Sequence, residues 1–171
     1  CFEEVRDQSR LGRAYVSLGR VYRAHGRLDL ALEQYKRALA LQQAAGDQLA
    51  AVQSLNAIAV TYGYMGRYDE ALAQLNGALD LARRIGSDRN VDFLRGNIAG
   101  VYNALGRYKE AAAALEETLA SATENRVQRL TQLTNSYVGL GLKARALETA
   151  EQAVALSKGM PPDDIAAVLA G

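Results

Sequence analysis

The chain has one cysteine, one histidine, two prolines and no tryptophan in 171 residues. Cys1 cannot close an internal disulfide, and His25 alone offers no cluster of soft ligands for zinc, so no metal site is expected. No apolar run approaches the ~20 residues needed to cross a bilayer, which predicts a non-membrane protein. The formal net charge of +1 argues against a generally basic surface for nucleic acid. Catalytic machinery is equally absent: there is no phosphate loop of the form GxxxxGK[ST], no Ser/His/Asp set and no metal-spaced cluster. No enzymatic activity and no cofactor are expected. The chain begins at Cys1 without a basic-then-apolar leader pattern, so it reads as a piece of a longer protein, with the cytoplasm as the expected compartment. Sixteen of the 20 basic residues are arginine, and alanine, leucine and glycine abound. By association, this suggests a GC-rich bacterial source.

What is present is repetition. "MGRYDEAL" begins at Met65, and its relatives "HGRLDLAL", "LGRYKEAA" and "LGLKARAL" begin at His25, Leu105 and Leu140. Their glycines, Gly26, Gly66, Gly106 and Gly141, stand 40, 40 and 35 residues apart. Before Gly66, Leu55, Ile58, Ala59 and Tyr62 fall on one helical face; after it, Tyr68, Ala71, Leu72, Leu75, Ala78, Leu79 and Leu81 do the same. Each unit is therefore two antiparallel helices joined at a glycine able to take positive φ. Gly46 and Gly86 are placed to end second helices, and Asp47 and Ser87 or Asp88 to cap the next ones. No segment has strand period, so the fold class is all-α. The repeats span about 10–45, 47–86, 88–122 and 124–158. After Pro161 and Pro162, residues 163–171 are expected to form a closing helix or to begin a further repeat.

In the first unit the residues Tyr15, Leu18, Gly19, Tyr22, Gly26, Leu28, Ala31, Tyr35 and Ala38 carry a recognisable order. It consists of a large residue, Leu-Gly and Tyr, then a turn glycine, then alternating large residues and alanines. The later units follow it, with Arg95, Thr118 and Lys143 as departures expected to weaken local packing. The pattern resembles the tetratricopeptide repeat, in the long form of kinesin light chains and of bacterial signalling ATPases and transcription regulators. That resemblance implies a right-handed α-solenoid of about four helix pairs, one domain over 1–171, with a concave groove lined by first helices.

Eight of the nine tyrosines occupy packing positions, leaving Tyr64, Phe2 and Phe93 outside the signature. At about 100° per residue, the side of each first helix opposite its packing face carries Arg13, Val16, Arg20 and Arg23, then Gln53, Asn56, Val60, Gly63 and Tyr64. The third unit adds Phe93, Gly96, Gly100 and Asn103 beside Asn97; the fourth adds Gln128, Thr131, Asn135 and Val138 beside Gln132. Amides carry donors and acceptors and suit the backbone of an extended peptide. The arginines, continued backwards by Arg6 and Arg10, suit carboxylates or phosphates, although Glu3, Glu4 and Asp7 can offset them. The two-carboxylate clamp of co-chaperone relatives is missing, since Val16, Arg20, Ala57, Phe93 and Asn97 stand in its places. His25 and the pair Asp69 and Glu70 read as structural. The candidate partner-binding residues are Arg13, Arg20, Arg23, Asn56, Tyr64, Phe93, Asn97, Asn103 and Asn135. The expected function is recognition of a peptide or partner segment in the groove of a larger bacterial regulator; the alternative is self-association as a scaffold or homo-oligomer. No direct nucleic-acid partner is expected.

Overall fold

The computed structural model describes residues 2–121 and 125–158. The expected helix over 163–171 and the side chain of Arg6 lie outside the described residues. Among the described residues there are eight α-helices and no strand: α1 (Phe2–Ala24), α2 (Leu28–Ala44), α3 (Gln48–Tyr64), α4 (Tyr68–Arg84), α5 (Asp88–Ala104), α6 (Tyr108–Ser121), α7 (Arg126–Gly139) and α8 (Lys143–Ser157). They divide into two units, residues 1–94 and 95–171, with the boundary inside α5. In the first unit α1 packs on α2, α2 on α3, and α3 on α4; in the second α6 packs on α7 and α7 on α8.

Helix ends follow the glycines as the sequence predicts. Gly66 has φ +72°; its N–H donates to Gly63 O at 3.0 Å and that of Arg67 to Tyr62 O at 2.9 Å. These bonds satisfy carbonyls that the end of α3 would otherwise leave open. Nothing lies within 4 Å of a Cβ added at Gly66, so the cost of alanine there is conformational alone. Gly66→Ala should lose about 1 kcal/mol, a fall in melting temperature of about 2–4 °C; an unchanged melt would sink this account of the turn. Asp47 caps α3 by accepting from Ala50 N–H at 3.1 Å, while Ser87 precedes α5 and accepts from Asn90 Nδ2 at 2.8 Å.

Side chains close the turns a second time. Arg67 stands 4.6 Å over the Tyr62 ring and pairs with Glu70 at 2.7 Å. Arg107 repeats this over Tyr102 at 4.5 Å and with Glu110 at 2.7 Å. The guanidinium holds the Glu70 carboxyl below its usual range, so this acid serves the turn. In the first turn Arg27 lies 5.7 Å from the Tyr22 ring, with Leu30 where the glutamate would stand. In the fourth, Leu142 replaces the arginine, and Arg145, three residues on, lies 5.5 Å from Tyr137 instead. Tyr137 also donates its hydroxyl to Glu116 at 2.5 Å.

Alanines and large residues interlock inside each unit. In the first, Ala31, Tyr35, Ala38, Ile58, Ala59, Ala71, Leu75 and Ala78 are buried. In the second, Ala99, Ala112, Leu115, Leu133, Tyr137 and Ala146 form one cluster. The departures from the signature are accommodated: half-buried Arg95 reaches Glu117 at 2.8 Å. Buried Thr118 returns its hydroxyl to Ala114 O and Leu115 O, both at 3.0 Å.

Candidate partner-binding surface

On α1, Arg13 and Arg20 are exposed and Arg23 half-buried. Spacings of seven and three residues place them along one stripe. Arg10 pairs with Asp7 at 3.8 Å, so the acidic start of α1 offsets the upper part of the stripe. The lower part meets the end of α3. There Arg20, Arg23, Ala24, Gly26, Leu28 and Tyr64 line an open recess of about 450 Å³. Tyr64 is 70% exposed, and Arg23 stands 5.9 Å from its ring. Arg20 reaches Ser17 Oγ at 3.5 Å along its own helix.

Register explains why the aromatic is free to act here. The positions equivalent to Tyr64 are Ala24, Ala104 and Gly139, so the repeat does not require a ring at this place. The lining includes two cations and no carboxylate. Both charges also act on Tyr35, whose phenol is raised above its ordinary pKa by burial while Arg23 and Arg20 pull it down. Such a recess suits an acidic group lying beside an apolar or aromatic one.

The other candidates are not brought to this recess. Phe93 is exposed on α5, Asn135 is exposed on α7, and Asn56 and Asn97 are half-buried and already engaged in interactions. Asn103 faces its neighbour helix: its Nδ2 donates to Gln132 O at 3.1 Å, and its Oδ1 accepts from Ser136 at 2.8 Å. Its amide therefore ties α5 to α7. Gly96 and Gly100, expected on the open groove face, also look toward α7; the nearest atoms to an added Cβ would be Arg129 Nε at 3.9 Å and Gln132 Nε2 at 3.4 Å. The helical wheel cannot show this because it treats each first helix alone, and a residue opposite its own partner can still meet the first helix of the next pair. Leu28 is the recess residue that sequence reading assigned to packing only.

One tetratricopeptide-repeat family model matches residues 48–124 and a second matches residues 12–44. The chain belongs to the tetratricopeptide-repeat family.

No curated protein matches it in sequence. Its fold is similar to that of BtubC from P. vanneervenii, with 21% identity, a TM-score of 0.76, and coverage of 89% of this chain and 66% of that one. The TPR-like repeats of a Podosopora anserina protein described as a kinesin light chain give 24% identity and a TM-score of 0.74, over 90% of this chain and 78% of that one. A Rap conjugation gene regulator of a plasmid, solved in complex with a Phr peptide, gives 17% identity and a TM-score of 0.77, over 88% of this chain and 42% of that one. At these identities the likeness is one of fold. This tetratricopeptide chain spans 66% of BtubC and 42% of the Rap regulator. The fold is one consistent with protein–protein interaction. Among the described residues no helix is long and apolar enough to cross a membrane.

Proposed function

We propose that this tetratricopeptide-repeat chain is a peptide-recognition module of a larger bacterial regulatory protein in the cytoplasm, its four helix pairs acting as one domain. It takes an extended acidic segment along its first helices. The recess of Arg20, Arg23 and Tyr64 carries this reading: two cations and an exposed ring, with no acid among the residues that line it. Arg13 extends the positive stripe, and exposed Phe93 and Asn135 supply further contacts; Asn56, Asn97 and Asn103 are left out because each is already engaged within the chain. The Rap regulator in complex with its Phr peptide lends support by likeness of fold. Binding should be micromolar, about −8 kcal/mol, and should weaken with salt.

The test is titration of the chain with matched fluorescent dodecapeptides, each carrying one aromatic residue and either acidic or neutral flanks. The acidic set should bind more tightly, and Tyr64→Ala or Arg20→Gln with Arg23→Gln should cost about tenfold, or 1.4 kcal/mol. Equal affinity for acidic and neutral peptides, or variants that bind like the parent, would remove the recess from the binding surface.

A second reading, self-association, rests on α1. Leu11, Leu18 and Val21 are 48%, 40% and 52% exposed, whereas their equivalents one repeat later, Ala51, Ile58 and Thr61, are buried. An apolar face repeated in register but left uncovered is suited to another helix pair. Sedimentation should then show a dimer that Leu18→Glu dissolves; a parent that stays monomeric at high concentration would exclude this.

A further inference from the structure

One register position in the first helices is buried in every later repeat but holds three different residues: Ser54, Leu94 and Arg129, at 0%, 1% and 4% exposure. A slot that accepts leucine does not need a cation. A buried guanidinium without a counter-charge is costly, and a buried ion is ordinarily paired. Arg129 has no such partner among the described residues, and its Nη1 is wholly buried with no hydrogen-bond acceptor.

Its Nε borders the space that a side chain on α5 would fill. Gly96 on α5 has one atom within 4 Å of the place its Cβ would occupy, and that atom is Arg129 Nε at 3.9 Å. One turn on, the corresponding place at Gly100 has one such neighbour, Gln132 Nε2 at 3.4 Å. The absence of two side chains on α5 thus leaves a slot whose α7 wall presents two nitrogen donors. It is half-exposed at Gly100 and Gln132 and buried at Gly96 and Arg129. Two donors about one turn apart on α7 and one positive charge match the two oxygens of a carboxylate.

We infer that Arg129 and Gln132, across Gly96 and Gly100, form a carboxylate-binding slot for an acidic side chain or chain terminus of a bound segment. The slot lies wholly in the second unit, so it stands whether or not the Arg20, Arg23 and Tyr64 recess binds anything.

The test uses the whole chain with sodium acetate as probe and sodium chloride at matched ionic strength as control. Acetate should move the Arg129 Nε–H resonance saturably and raise the melting temperature by about 2 °C or more beyond chloride. Arg129→Leu, which installs the residue of the preceding repeat, should melt at or above the parent temperature and lose the acetate-specific gain. Gly96→Ala, whose added methyl meets only Nε at ordinary contact distance, should fold normally and also lose that gain. An acetate effect equal in parent and both variants would be general salting and would overturn the slot. So would a resonance that ignores acetate, or one that answers to inorganic phosphate alone, which would change the ligand class.

Discussion

Gly139→Ala is expected to destabilise the chain by about 2–3 kcal/mol through overpacking, lowering the melting temperature by about 4–12 °C. A Cβ at this position would lie 2.5–2.6 Å from three carbons of the Tyr108 ring, closer than real carbons approach. Helix propensity alone predicts the opposite sign, since alanine is better than glycine inside a helix by about 1 kcal/mol. The steric term should win because the ring stands directly over the glycine. The pair also indicates its own repair. Two repeats earlier the position of Tyr108 is held by Leu28, and that of Gly139 by the much larger Tyr64. Adding Tyr108→Leu to Gly139→Ala should restore most of the loss. Calorimetry of the single and double variants decides: an alanine variant as stable as the parent, or no recovery in the double, would mean that ring contact is not what excludes a side chain here.

A second large effect is expected at Gly19. Its added Cβ would meet Tyr35 Cε1 at 2.6 Å and Cδ1 at 2.8 Å, and Tyr35 is fully buried between α1 and its neighbours. The ring has no room to withdraw, so Gly19→Ala should cost about 2–3 kcal/mol. Tyr35 itself offers a check of opposite sign. Its hydroxyl is buried without a hydrogen-bond partner, and Tyr35→Phe removes that orphan, which should gain up to about 1 kcal/mol. Burial raises the phenol above its ordinary value of 10.0. A raised pKa means the neutral form is favoured by folding: stability is intact below about pH 10 and falls as pH climbs toward the folded value. Tyr35→Phe should therefore flatten the alkaline edge of the stability curve. An unchanged edge would show that another group sets it.

The helix pairs were legible because their signals are local. Gly66 with Arg67 fixes a turn, Tyr62 and Tyr68 fix the faces beside it, and Asp47 declares the start of α3; none needs knowledge of distant residues. The recess was partly legible, since Arg20, Arg23 and Tyr64 remain once packing positions are subtracted. Asn103 was misassigned for a definite reason. Whether an amide on the inner side of a first helix meets solvent or a neighbour depends on what the next first helix places beside it, and here that is Gln132 O and Ser136 of α7. Arg129 was missed for the same reason: beside the signature residue Leu130 it looks like one more surface arginine, and only its burial distinguishes it.

The doubly closed turns have a kinetic consequence. Tyr62, Arg67 and Glu70 lie within nine residues of one another, as do Tyr102, Arg107 and Glu110, so ring, cation and acid can meet before anything remote is in place. Closing so short a loop takes roughly 10–100 ns, and chains dominated by near-neighbour contacts fold fast. Each hairpin can thus act as a seed from which order spreads to the next. The first hairpin has ring and cation but Leu30 at the acid's place, and the fourth takes its acid, Glu116, from the preceding pair. The fourth is the hairpin that must wait for its neighbour.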